Sequence, residues 1–206
     1  MDITLPVNDE TDFDIGPRSI DAFSRLSYTM WHALAEFIDN STQSRKNYDD
    51  IIDAVLAQEG QPLIIDITHN RPQRTLTISD NSIGMTKNDL INALRVAHPT
   101  SDSRGRSKYG LGMKTAACWI GKTWSVITCE WGSGEEWTAH IDVDGIAHHG
   151  KRIPLSFKTV DTKEHYTRIV ISDLHRNIQA RTEETIRSYL GSMYRFDLAS
   201  GRLKIL

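Results

Sequence analysis

This sequence predicts a mixed α/β chain, on three observations. Apolar residues recur at helical spacing over residues 28–44 and again over 182–194. Between these stretches the pattern switches to short strand-like runs divided by turn formers, giving hairpins at 63–78 and 124–143. The 206 residues suffice for one large domain, or for one domain and the start of another.

Residues 1–17 are acidic and carry Pro6, Gly16 and Pro17, which suggests a strap-like lead-in rather than core. A helical pattern begins near Ser19, and its strong part runs from Tyr28 to Ser44. At 100° per residue, Trp31, Leu34 and Ile38 gather on one side. His32, Glu36, Asp39 and Asn40 fall on the other, with Glu36 and Asn40 one above the other at i, i+4. Two readings of that polar face stand: a solvated surface, or a metal and water site. In the second, a carboxylate activates water and a carboxamide oxygen serves a hard cation such as Mg²⁺, which prefers a few oxygens plus phosphates and waters.

Leu63–Thr68 and Thr75–Ile78 read as strands joined at Asn70-Arg-Pro-Gln73. The hairpin ends in Ser79-Asp-Asn-Ser-Ile-Gly-Met85, where Asp80 either caps the turn or accepts from the exocyclic amine of a base, with Met85 as an apolar wall. Thr86 and Asp89 have capping-box spacing, predicting a helix through about Ala97.

Residues 98–109 lack periodicity and read as a long basic loop, either solvated or a lid over an anionic ligand. The loop leads into Tyr109-Gly-Leu-Gly-Met-Lys114 and an apolar helix, Met113–Ile120. A glycine-spaced loop entering a helix offers bare N–H groups and the positive end of the helix dipole, an arrangement that binds anions. Gly110 and Gly112 permit close backbone approach, and Lys108 and Lys114 add charge on either side. A plain turn fits the same residues.

Trp124–Trp131 and Glu136–Val143 form the second hairpin around Gly132-Ser-Gly134, and Asp144-Gly145 turns the chain again. His148 and His149 are adjacent and read as surface or turn residues. Tyr166–Ile171 is another strand, whose Thr167 either points into a pocket or merely suits β geometry. A helix covers about Thr182–Tyr194, and Arg202–Leu206 is strand-like.

The bulk composition narrows the class. Hydrophobic content of 39% and charged content of 25% are those of a globular protein, and a net charge of -3 argues against wholesale electrostatic binding of nucleic acid. Cys118 and Cys129 lie in apolar runs without metal-ligand spacing and read as buried thiols in a reducing compartment. The N-terminus lacks a signal-peptide pattern, and no run approaches the ~20 apolar residues of a membrane span. A soluble, cytoplasmic protein is expected.

Three segments in fixed order, Glu36-Phe-Ile-Asp-Asn40, Asp80-Asn-Ser-Ile-Gly-Met85 and Tyr109-Gly-Leu-Gly-Met-Lys114, resemble the GHKL ATP-binding superfamily of DNA gyrase, heat-shock chaperones, histidine kinases and MutL. The resemblance spans roughly residues 20–200. The 80–92 segment is similar to the chaperone branch. Glu36–Asn40, Tyr109–Lys114 and the Tyr194-Arg195 ending resemble the microrchidia (MORC) branch, which is the preferred assignment, as a prokaryotic MORC-like module.

The resemblance implies a two-layer α/β (α+β) sandwich, with a mixed, mostly antiparallel sheet covered on one face by helices. It implies a lead-in at 1–18, an ATP-binding domain at 19–197, and the start of a truncated transducer-like domain at 198–206. Glu36 would be the general base and Asn40 the Mg²⁺ ligand. Asp80 would read the adenine amino group, with Gly84, Met85 and Thr167 completing the base pocket. Lys108, Gly110, Leu111, Gly112 and Met113 would form the phosphate loop, and Lys114 would neutralise charge. Departures from the family pattern are Ser82, Ser107 and Tyr166, where glycines are usual.

The implied activity is Mg-dependent ATP hydrolysis with lid closure and nucleotide-gated homodimerisation, acting on DNA or a protein client through regions outside this chain, with no membrane. Relatives of this type take a lysine from a second domain, so the chain is expected to be a fragment that turns over slowly. Alternatives are a chaperone-type ATPase and a non-hydrolysing sensor, against which Glu36 argues. A histidine kinase is disfavoured, because no separate two-helix dimerising segment precedes His32.

Overall fold

The computed structural model describes residues 5–12, 28–95, 112–149 and 152–206. The strands are β1 (Leu5–Asp12), β2 (Leu63–Asn70), β3 (Thr75–Asp80), β4 (Gly121–Cys129), β5 (Glu135–Asp142), β6 (Arg152–Thr159), β7 (Tyr166–Leu174) and β8 (Leu203–Ile205). The helices are α1 (Met30–Asn47), α2 (Asp49–Glu59), α3 (Lys87–Leu94), α4 (Gly112–Ile120), α5 (Val143–His149), α6 (Ala180–Met193) and α7 (Arg195–Ala199). The expected helix start near Ser19 and the loop at 98–109 lie outside the described residues.

Among the described residues, one eight-stranded sheet runs β1-β6-β5-β4-β7-β3-β2-β8. Neighbours pair antiparallel except β2 and β8, which pair in parallel. Helices cover one face, as expected for a two-layer sandwich of mixed, mostly antiparallel sheet. The strand-like ending of the sequence is β8 in that sheet, paired Leu63 to Leu203.

Register arranges the helix-facing side in rows. One row reads Ile67, Ile78, Ile169, Val126 and Ala139 across five strands. The next reads His69, Leu76, Ile171, Trp124 and Ile141. A third, at the opposite end, reads Ile65, Asp80, Thr167, Thr128 and Trp137. The other sheet face carries Thr68, Thr77, Arg168 and His140, all at least partly exposed, so period-two alternation places polar residues in water.

α1 packs on α4, α6 and β2. It buries Leu34, Phe37, Ile38 and Ser41, the i, i+3, i+4, i+7 stripe of an amphipathic helix. Burial of each large apolar side chain contributes about 1.5–3 kcal/mol. Trp31 is only partly buried and stacks on Tyr189 of α6, with centroids 4.5 Å apart. The fully buried Tyr194 donates from its hydroxyl to Asp39 Oδ1 at 2.8 Å and lies 3.2 Å from the Ala35 carbonyl.

Several elements differ from the sequence expectation. Residues 5–12 form an edge strand against β6, where Pro6 is tolerated because an edge leaves N–H positions unused. α2 is an additional helix, opened by Asp49 and Asp50 and stopped by left-handed Gly60. Asp144-Gly145 lies inside α5 rather than in a turn, because Asp142 Oδ1 accepts from Gly145 N–H at 3.0 Å. β6 is a further strand beyond the sequence expectation. The Thr86–Asp89 capping box is present in both directions, at 3.0 and 3.3 Å, and opens α3.

Candidate active site

α1 carries Glu36 and Asn40 on one half-buried stripe, bounded by the buried Phe37 and Ser41. Glu36 lies against the first residue of α4, where a Cβ on Gly112 would overlap Oε2. The carboxylate therefore occupies space that only glycine leaves open, beside the positive end of a helix. Tyr28 donates to Glu36 Oε1 at 3.4 Å. Burial, and after it the neighbouring Asp39 charge, raises the Glu36 pKa, while Tyr28 and His32 work the other way. No partner for the Asn40 carboxamide occurs among the described residues.

Asp80 ends β3 beneath the same helix. Its Oδ2 accepts from Ser41 Oγ at 2.6 Å, and its Oδ1 from the Ser82 and Thr167 amides at 3.0 and 3.3 Å. Burial raises its pKa, and these three donors oppose the rise. The residue as a whole is partly buried, and three donors on Oδ1 and Oδ2 leave about one of the four carboxylate lone-pair sites, on Oδ2, for a further donor.

The turn after Asp80 is fixed from several sides. Gly84 has φ 77°, and a Cβ there would run into the Cys129 carbonyl, so this glycine is required. Trp131 N–H donates to the Ile83 carbonyl at 2.9 Å, and His165 Nδ1 sits 2.9 Å from the Ser82 carbonyl. Ser82, where the family pattern has glycine, takes no left-handed backbone, and its hydroxyl donates to Ser44 Oγ at 3.1 Å. Tyr166, at the other described departure, donates its hydroxyl to Glu136.

Thr128 and Ser41 contact candidate residues and carry no motif signal. Thr128 accepts from Met85 N–H at 2.9 Å, donates to the Tyr166 carbonyl at 3.0 Å, and lies 3.1 Å from Thr167 Oγ1. One buried hydroxyl thus ties Met85 to Thr167. Only strand register could have revealed it.

Of the expected residues, Glu36 and Gly112 touch, and Asp80 and Thr167 are cross-strand partners. Ser41, next to Asn40 on the helix that carries Glu36, donates to Asp80 Oδ2. Met113 is buried at the start of α4, and Met85 is partly buried against the core. Lys108, Gly110 and Leu111 lie outside the described residues, as does Ser107.

Lys114, expected to neutralise phosphate, instead points into the protein. It is 1% exposed, with Nζ donating to the Ala93 carbonyl at 2.5 Å. The helical turn from Gly112 carries it to the α3 side, and burial lowers its pKa to about 8. Asp39 likewise serves Tyr194. No cluster of three His, Cys, Asp or Glu side chains suited to a metal occurs among the described residues. No helix among them is long and apolar enough to cross a membrane.

A family model described as histidine kinase-, DNA gyrase B-, and HSP90-like ATPase matches residues 28–175. The chain is also similar to two human proteins. One, "Putative heat shock protein HSP 90-beta-3", is 42% identical over 64 residues, 30% of this chain and 11% of that protein. The other, "Putative heat shock protein HSP 90-beta 2", is 36% identical over 72 residues, 35% of this chain and 18% of that protein. The matched stretches thus span under a fifth of either relative.

Proposed function

We propose that this chain, which belongs to the histidine kinase-, DNA gyrase B- and HSP90-like ATPase family and is a GHKL-type ATP-binding domain, hydrolyses ATP with Glu36 as the general base. The observation that carries this is the Glu36 carboxylate against Gly112 at the opening of α4. A base and an anion-binding helix terminus meet there, so a water beside the terminal phosphate is within reach of the carboxylate.

Asp80 accepts from the exocyclic amine of the base, with Gly84, Met85 and Thr167 around it. The amides at Gly112 and Met113, continued by Lys108, Gly110 and Leu111, hold the phosphates. Asn40, with its half-buried carboxamide, suits a Mg²⁺ that takes most of its ligands from phosphate and water. Mg²⁺ when bound supplies charge neutralisation across the phosphates. Glu36 takes the proton from the attacking water, and positioning with electrostatics does the rest. The raised Glu36 pKa brings a carboxylate closer to the operating range of a base.

In this reading the domain is a MORC-like motor module in which lid closure and homodimerisation follow nucleotide binding. Client choice, DNA or protein, rests outside this chain. A chaperone-type ATPase is the second reading, favoured by the similarity to the two human heat-shock proteins. Stimulation of turnover by DNA rather than by an unfolded protein separates the two.

The test of hydrolysis is Glu36→Ala. ATP affinity by calorimetry is expected to persist while turnover falls by roughly two to four orders of magnitude. Unchanged turnover would remove the base assignment. A parent chain that binds but never turns over would leave the sensor reading.

A further inference from the structure

The turn after Asp80 is held from behind by a residue outside all three motif segments. His165 stands between β6 and β7 and is 6% exposed. Its Nδ1 lies 2.9 Å from the Ser82 carbonyl, and its Nε2 lies 3.0 Å from Glu59 Oε1 at the end of α2. Trp131 packs against the ring in a T-shaped contact, with centroids 5.3 Å apart. The same tryptophan holds the next carbonyl of the turn, that of Ile83, through its amide.

The partners assign the hydrogens on this ring. A backbone carbonyl can only accept, so Nδ1 donates to Ser82. A carboxylate faces the other nitrogen and accepts as well, so Nε2 donates to Glu59. A ring that donates in both directions is a cation. Burial raises the Asp80 pKa, and the His165 charge joins the Ser41, Ser82 and Thr167 donors in opposing that rise. Ser82 is thereby held at both ends, since its amide donates to Asp80 Oδ1 at 3.0 Å while its carbonyl accepts from His165.

We propose that His165, oriented by Glu59, is a positioning residue that sets the selectivity of Asp80 for a nucleobase bearing an exocyclic amine. With Asp80 as the base reader, on which this role rests, the carboxylate has about one acceptor site left, on Oδ2. A fixed carboxylate with one open site accepts from an amine and rejects a base with a carbonyl in the same place. Once the turn is free to shift, water can mediate either contact, and the discrimination shrinks.

Calorimetry on the 206-residue chain tests this with ADP and IDP, which differ in that a carbonyl of the base replaces the amine. The parent is expected to prefer ADP about 10- to 100-fold. His165→Phe keeps a ring against Trp131 but donates nothing. It should weaken ADP about tenfold and leave IDP unchanged. His165→Asn places an amide N–H near the position of Nδ1 and should restore most of the preference. Glu59→Ala changes a side chain 35% exposed on α2 and should reduce the preference about threefold. That variant decides the matter if the phenylalanine chain does not fold. An equal loss for ADP and IDP, no recovery in His165→Asn, or an unchanged preference in Glu59→Ala would overturn the role of His165 while leaving Asp80 as reader. A parent that binds both nucleotides alike would overturn the Asp80 reading, and the role of His165 with it.

Discussion

The Glu36 carboxylate rests against the α-carbon of Gly112, so that a single methyl group on Gly112 would overlap Oε2. The neighbour in the way is the end of a flexible side chain rather than backbone. Gly112→Ala is therefore expected to leave the fold intact, with a melting temperature within a few degrees of the parent. The carboxylate must swing away, and turnover should fall at least about tenfold with ADP affinity little changed. Steady-state kinetics beside calorimetry measures both, and a fully active variant would detach Gly112 from the base.

Asp80 separates stability from binding. Its folded-state pKa is raised by burial above the ordinary 3.8. The native state therefore prefers the proton, and the stability linked to it is lost as pH rises through the folded pKa. Asp80→Asn should show its melting temperature gaining on the parent as pH climbs from 3.8 upward, since the buried charge is gone. ADP affinity should drop roughly 10- to 100-fold with the lost charged acceptor. Calorimetry and thermal melts across pH check both halves.

Tyr28 tunes the proposed base. Its hydroxyl favours the ionised form of Glu36, opposing the rise that burial causes. Tyr28→Phe removes that donor, so the Glu36 pKa should climb further. The acidic limb of the pH–turnover profile is then expected to move to higher pH. A limb that stays in place, or moves to lower pH, would contradict the role.

Thr128 links the turn to the sheet. Thr128→Val keeps the shape but leaves the Met85 N–H without its acceptor. The expected cost is about 1–3 kcal/mol in urea unfolding, with weaker ADP binding because Met85 and Thr167 lose their common tether.

Lys114 predicts an alkaline signature. The unfolded chain holds this proton up to the ordinary 10.5 and the folded chain only to about 8. Between those values the unfolded state binds more protons, so stability should rise with pH, by an amount of order 3 kcal/mol at most. Lys114→Met should fold and lack that rise, as urea midpoints measured across the interval will show.

Much of this was readable in the chain itself. The spacing of Leu34, Ile38, Glu36 and Asn40 divided α1 into a core face and a polar face, because helical period alone sets which residues share a side. Thr86 and Asp89 announced α3, and Gly84 marked a turn that only glycine can make. α2 carries its signals in sequence too, in Asp49, Asp50 and Gly60. β6 was harder, since Pro154 interrupts a pattern whose buried members are Ile153 and Leu155.

Other features existed only once the chain was folded. Nothing separates Thr128 from any other strand threonine until register sets it beside Thr167, whose other cross-strand partner is Asp80. Lys114 read as a cation for phosphate until the turn of α4 carried it to the Ala93 carbonyl. Asp39 looked like a member of the site until Tyr194 claimed it. Local periodicity decides which residues share a face, and that is written in sequence. Which face meets which partner depends on contacts between residues far apart in the chain, and only packing assigns those.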